Sequence, residues 1–152
     1  MDADRNLRHS VAALAIIRRE EYGQTCWLAQ WNRNWNAYAF IGGHKREEES
    51  FRECVIREIE EELGLKYETD FEVSEDPITH LEYTAWSESA RQETEYEFEL
   101  FSVEVAGSAI PKIGAETTNR WLSGDEIDKL QTAGQQRISP TTKMILTKVD
   151  LG

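Results

Sequence analysis

A single mixed α/β domain is what this sequence predicts, and three observations predict it. Alternating or wholly apolar strand-like runs precede a sharply bounded amphipathic helix, further strand-like runs follow it, and helical patterns close the chain, an order that mixes sheet and helix in one core. At 152 residues the chain is of one-domain size and long enough to bury a real core. It has no repeat, linker or low-complexity segment, so residues 9–152 are expected to form one domain, with residues 1–8 a polar, flexible lead-in.

HSVAALAIIRR, residues 9–19, reads as a largely buried strand ended by the charged stretch Arg18 to Glu21. Tyr22-Gly23-Gln24 suits a turn, TCWLAQWN reads as a second strand, and Asn32 to Asn36 as a loop. Trp31 and Trp35 are placed at core edges rather than as platforms for a base, because aromatics are usually packing residues. Tyr38 to Ile41 is a short strand feeding Gly42-Gly43, where glycine permits close backbone approach.

Ser50 followed by Glu53 is a capping box, which starts a helix at Phe51. Phe51, Val55, Ile59 and Leu63 recur at helical spacing, and Gly64 fits the left-handed position that ends the helix. Beyond it, strands are expected around Phe71 to Val73 and Ile78 to Tyr83, broken by Asp76-Pro77, and from Glu95 to Val105. In that last run Tyr96, Phe98 and Leu100 share one face and Phe101, Val103 and Val105 take the other phase, which suggests a bulge near Leu100. Ala106 to Thr118 reads as a loop leading to Asn119-Arg120-Trp121-Leu122, to which no element is assigned. Ser123 caps a helix reaching Leu130, and Pro140 to Val149 is a final helix with Met144, Ile145 and Leu146 toward the core.

The chemistry lies in the first helix. Glu58, Glu61 and Glu62 stand at i, i+3 and i+4, three carboxylates on one side, and each like-charge pair at that spacing costs about 0.2–0.5 kcal/mol. Glu60, Glu61 and Glu62 also occupy the last turn, where the helix dipole already presents negative charge. A solvated acidic face is the usual fate of such a run. A bound hard cation such as Mg²⁺ would reverse the balance, since it takes carboxylate oxygens and keeps waters and phosphate as its other partners.

Composition narrows the partners. With 29 acidic and 17 basic side chains the formal charge is −12, so neither a nucleic-acid polymer nor an anionic membrane is an expected partner, and anionic substrates would need metal. The apolar run Val11 to Ile17 is too short to span a bilayer and no signal-peptide pattern precedes it, which makes a cytoplasmic location the simplest expectation. Cys26 and Cys54 form no metal or redox motif and are expected as buried thiols.

The decisive pattern is Gly43, five residues, Glu49, seven residues, then Arg57-Glu58-Ile59-x-Glu61-Glu62-x-Gly64-Leu65. It resembles the defining motif of the Nudix hydrolase family at every fixed position, in the loop-helix context such a motif requires. The resemblance implies an α/β/α sandwich around a mixed sheet and metal-dependent hydrolysis of a nucleoside diphosphate linked to another moiety. It implies Mg²⁺ or Mn²⁺ held by the carbonyl of Gly42 and by Glu58, Glu61 and Glu62, with Arg57 orienting glutamates and Glu49 a lesser candidate. Ile41 stands where the family commonly has proline. The run from Glu116 through Arg120-Trp121 resembles the family's loop glutamate outside the motif, so Glu58 or Glu116 is expected as base, with Glu97 in reserve. Tyr83, eighteen residues past Leu65, weakly resembles a diadenosine-polyphosphate marker, and Pro77 falls short of the ADP-ribose position, which leaves the substrate open. Two alternatives also stay open: a non-catalytic nucleotide-sensing or interaction module on the same fold, and a homodimer.

Overall fold

Strands β1 (Arg8–Glu21), β2 (Gln24–Asn32) and β3 (Ala37–His44) come first and are followed by helix α1 (Phe51–Leu63). Then come β4 (Phe71–Val73), β5 (Thr79–Ser87), β6 (Gln92–Val105), a 3₁₀ turn at Gly107–Ala109, α2 (Ile110–Ala115), β7 (Asn119–Ser123), α3 (Gly124–Lys129) and α4 (Pro140–Val149). This computed structural model describes residues 7–87 and 90–149. The expectation for the N-terminus falls on residues 1–6, outside the described residues, whereas Arg8 is already strand.

The seven strands form one mixed sheet in the order β4-β6-β1-β3-β2-β7, with β5 also paired to β6. β1 and β6 are parallel, while the other pairings are antiparallel. β1 does not stop at Arg18. Its last four residues, Arg18 to Glu21, pair with β2 after Ala12 to Ala15 have paired with β3. Charge therefore marks the point where the strand leaves the core, not where it ends. Tyr22 and Gly23, with φ of 52° and 79°, make the two-residue turn into β2 that right-twisted antiparallel strands favour.

Both faces of the sheet are covered. On one face Ala13, Ala15, Ile41 and Phe101 pack under Val55, Ile59 and Leu63 of α1. On the other, Ile16, Phe40, Leu100 and Leu122 pack with Ile127 of α3 and Ile145 of α4. This double cover corrects the expected bulge in β6. Pairing with β1 runs without a break from Thr94 to Val103, and Leu100 and Phe101 are both apolar because each meets a different layer.

Two further expectations change. The loop after β6 contains α2, whose Pro111 sits in the first turn, where its missing N–H costs nothing, and whose Ile113 is buried. The unassigned run Asn119 to Leu122 lies in edge strand β7, paired to β2, and Ser123 ends that strand while capping α3 as expected. Consecutive Trp121 and Leu122 hid the alternation, yet Trp121 joins the α1 side of the core and Leu122 the opposite side.

α1 is bounded as its sequence requires. Ser50 Oγ accepts from the Glu53 amide at 3.1 Å, Glu53 accepts from the Ser50 amide at 2.8 Å, and Gly64 at φ 66° donates to the Glu60 carbonyl. Ser50→Ala should cost about 1 kcal/mol through the lost cap. Ile59→Ala, which empties a fully buried site, should cost about 2–5 kcal/mol, both being read from urea unfolding.

Candidate active site

The last residues of β3 bring the sheet under α1. Gly43 pairs with Ala13, so any side chain there would point toward the helix, and a β-carbon built at Gly43 would overlap the Glu58 carboxylate. Gly42 faces the other way, and a β-carbon there would strike the Ala13 carbonyl and the Leu14 side chain. The two glycines are needed for close approach on opposite faces of one strand. The Gly42 carbonyl and the Glu58 carboxylate are thereby confined to the same small region of backbone.

Arg57 organises the acids around it. Its guanidinium grips Glu49 in two-pronged fashion, Nη2 to Oε1 at 2.7 Å and Nε to Oε2 at 3.0 Å. Nη1 reaches Glu58 at 3.0 Å and Glu61 at 3.2 Å, and Nη2 also donates to the His44 carbonyl at 3.1 Å. The ordinary i,i+4 pair with Glu61 is thus one contact among several, and Glu53, the other simple partner for Arg57, is occupied by the cap. One engaged guanidinium faces Glu49, Glu58 and Glu61, with Glu62 one residue further, so negative charge remains in excess.

Hydrogen bonding and burial move two of these carboxylates, Glu49 and Glu58, in opposite directions. Hydrogen bonds from Arg57 hold Glu49 down at about 2, against an ordinary value of 4.5. Glu58 goes up, first because it is buried and then because Glu61 and Glu62 repel its charge, with Arg57 opposing both. Cys54 is buried, as its sequence context predicts, and belongs to the same assembly. Its buried thiol, pushed up to about 11 mainly by desolvation, donates to the Gly43 carbonyl at 3.4 Å and braces the glycine pair from beneath.

Glu61 and Glu62 are exposed, and their oxygens are not drawn tightly around Glu58: among the described residues, the set of three acid or imidazole donors lying mutually within 4.8 Å belongs to His80, Glu82 and Glu97. Glu97 therefore stands with His80 on the β5–β6 hairpin, apart from the α1 trio. Glu116 is exposed in the turn before β7, and among the described residues its carboxylate has no partner. The turn itself is anchored near the end of α1. Gln30 donates to both the Glu62 carbonyl (3.1 Å) and the Asn119 side chain (2.9 Å), and the Trp31 amide donates to Thr118.

Across the sheet from α1 lies a cavity of about 360 Å³ whose lining includes Gly42, Gly43, His44, Trp35, Tyr96 and Thr141. A second space of about 450 Å³ adjoins it, sharing Trp35 and Tyr96 and adding Tyr83, Trp86 and Arg137. Tyr83 stacks on Tyr96 with ring centres 5.1 Å apart. Trp31 packs edge-on against Tyr38 as a core-edge residue, while Trp35 is partly exposed and faces the cavity.

A model of the NUDIX domain matches residues 8–143, so the chain belongs to the Nudix family. No curated protein matches it. Among solved structures it is similar to a C. elegans Ap4A hydrolase (16% identity, TM-score 0.60, covering 93% of this chain and 96% of that one). It is similar also to a NUDIX-family hydrolase from Clostridium perfringens (16%, TM-score 0.61, 95% and 99%). A third is the NUDIX domain of Shewanella oneidensis NrtR, solved with ADP ribose (12%, TM-score 0.63, 99% and 92%). These likenesses establish the fold, an α/β architecture of a mixed sheet with flanking helices. No helix among the described residues is long and apolar enough to cross a membrane.

The Glu49–Arg57 pair sets a pH dependence. Because Glu49 is depressed in the folded state, the stability it brings is fully present above about 4.5 and is lost as pH falls toward about 2. The stability gap between wild type and Glu49→Gln, measured by urea unfolding, should be widest near neutrality and narrow through that window.

Proposed function

We propose that the protein is a metal-dependent pyrophosphohydrolase acting on a nucleoside diphosphate linked to another moiety. The observation that carries this reading is the shared Gly42–Gly43 backbone: one face lines the cavity and the other receives Glu58. A nucleoside seated in the cavity would extend its diphosphate past the glycines toward the acids. A space of this volume is ordinary for a small-molecule site.

The donor set suits Mg²⁺ or Mn²⁺. Carboxylates of Glu58, Glu61 and Glu62 and the Gly42 carbonyl are hard oxygen ligands, and the space kept at Gly43 leaves the Glu58 carboxylate without a competing side chain. When bound, such an ion neutralises diphosphate charge and lowers the pKa of a water. The protein's own part is to position and to move protons. Arg57 sets the rotamers of Glu49, Glu58 and Glu61, and Glu58, with its raised pKa, is suited to accept the proton of a water attacking phosphorus. Glu116 is the alternative base, its turn tied by Gln30 to the end of α1.

The test is a panel of dinucleoside polyphosphates, ADP-ribose, nucleotide sugars and oxidised nucleoside triphosphates, assayed with Mg²⁺ or Mn²⁺ for released phosphate or nucleoside monophosphate. Glu58→Gln should lower kcat by about 10²–10⁴-fold if it is the base, and Glu62→Gln should abolish turnover, both with the fold kept. Tight nucleotide binding with no product under either metal would instead identify a non-catalytic module.

Gly43→Ala probes the same constellation from the sheet side. Its added methyl displaces the Glu58 carboxylate, so turnover should fall toward that of Glu58→Gln. The double variant should lose no more than Glu58→Gln alone, since both act on one group. Fully additive losses in kcat would show that the glycine acts elsewhere.

A further inference from the structure

The β5–β6 hairpin carries a second constellation of metal-binding side chains, which the α1 site does not use. In the antiparallel register His80 lies opposite Glu99 and Glu82 opposite Glu97, all four on the sheet face that carries α1. Direct opposition of like charges on one face destabilises a ladder, and here Glu82 and Glu97 are so placed. One imidazole is left to serve three carboxylates.

The imidazole is held as a ligand would be. His80 Nδ1 lies 2.9 Å from Glu99 Oε2, and Nε2 lies 3.2 Å from Glu97 Oε2. Metal-bound histidines generally donate their second nitrogen to a carboxylate that fixes tautomer and ring direction. Glu99 occupies that place, which turns Nε2 toward Glu82 and Glu97. Phe51, at the first turn of α1, meets the ring edge-on with centres 5.9 Å apart and limits its rotation. One donor atom from each of His80, Glu82 and Glu97 falls within 4.8 Å of the others, so a single ion can touch all three.

We propose that His80, Glu82 and Glu97 bind a divalent cation that accepts mixed imidazole and carboxylate ligands, of the Zn²⁺ or Mn²⁺ type, with Glu99 orienting the histidine. The nitrogen ligand distinguishes the site from the all-oxygen set on α1 and biases it away from Mg²⁺. Its place differs as well. Phe51 and Glu58 are seven residues apart on α1, about 10 Å along the helix axis. The bound ion joins the two strands of the hairpin through their side chains and relieves the opposed carboxylates. The simpler occupant is a proton: His80 as imidazolium bridging Glu97 and Glu99. That arrangement sets a single positive charge against three carboxylates, Glu82, Glu97 and Glu99.

The test uses the full chain in saturating Mg²⁺, with Zn²⁺ as the probe. Imidazole nitrogens are followed by long-range ¹H–¹⁵N NMR, and stoichiometry is measured by calorimetry. The expected result is a saturable shift of His80 Nε2, with Nδ1 staying protonated, on binding one equivalent of Zn²⁺. His80→Ala should remove one equivalent, the double variant Glu82→Gln/Glu97→Gln should abolish the His80 shift, and Glu58→Gln/Glu62→Gln should leave it intact. A folded His80→Ala protein that binds as many equivalents as wild type, or a His80 Nε2 resonance unmoved at Zn²⁺ saturation, would overturn the site. Either outcome is independent of whether the α1 acids support hydrolysis.

Discussion

The arrangement of the acids depends on one guanidinium. Glu49, Glu58 and Glu61 would repel one another if each were left to water. Arg57 draws them to one side of α1 through a planar fork of donors that a lysine does not possess. Its fourth partner, the His44 carbonyl, fastens the group to the end of β3. The helix end therefore stays acidic without being disordered. The balance is incomplete: hydrogen bonds from Arg57 hold Glu49 well below the ordinary carboxylate range, whereas burial pushes Glu58 above it.

Much of this was legible in the residues. The capping box and the glycine stop bounded α1 at Phe51–Leu63, because local backbone chemistry decides helix ends. The motif placed Arg57 among glutamates because it records side chains brought together on one helical turn and the loop before it. What lay beyond was set by tertiary layers. Leu100 beside Phe101 reads as a change of phase in one dimension, and as ordinary alternation once helices are known to cover both faces. β7 is hidden for the same reason, since partly buried Trp121 and buried Leu122 pack in different layers.

Contacts between distant segments were hidden altogether. Cys54 reads as an inert thiol until Gly43 is seen above it, and His80 is one polar residue in an alternating strand until β6 aligns Glu97 and Glu99 beside it. Gly43 itself was legible as a site of close approach, but its partner was not. The glycine keeps room for a particular carboxylate, a purpose that only the packed helix reveals.

The parallel pairing of β1 with β6 carries a consequence for the growing chain. Each residue of β1 from Arg8 to Ile17 meets one 86 positions later, so the central strand of the sheet has no neighbour on that side until about two-thirds of the protein has emerged from the ribosome. Until then the hairpin with β2 and β3 can form, but the apolar row from Ala12 to Ile17 keeps one hydrogen-bonding edge bare. Distant strand pairing is slow and such edges attract other chains. The charged stretch Arg18 to Glu21 continues the same strand beyond that apolar row, and charge on a strand discourages pairing with other chains.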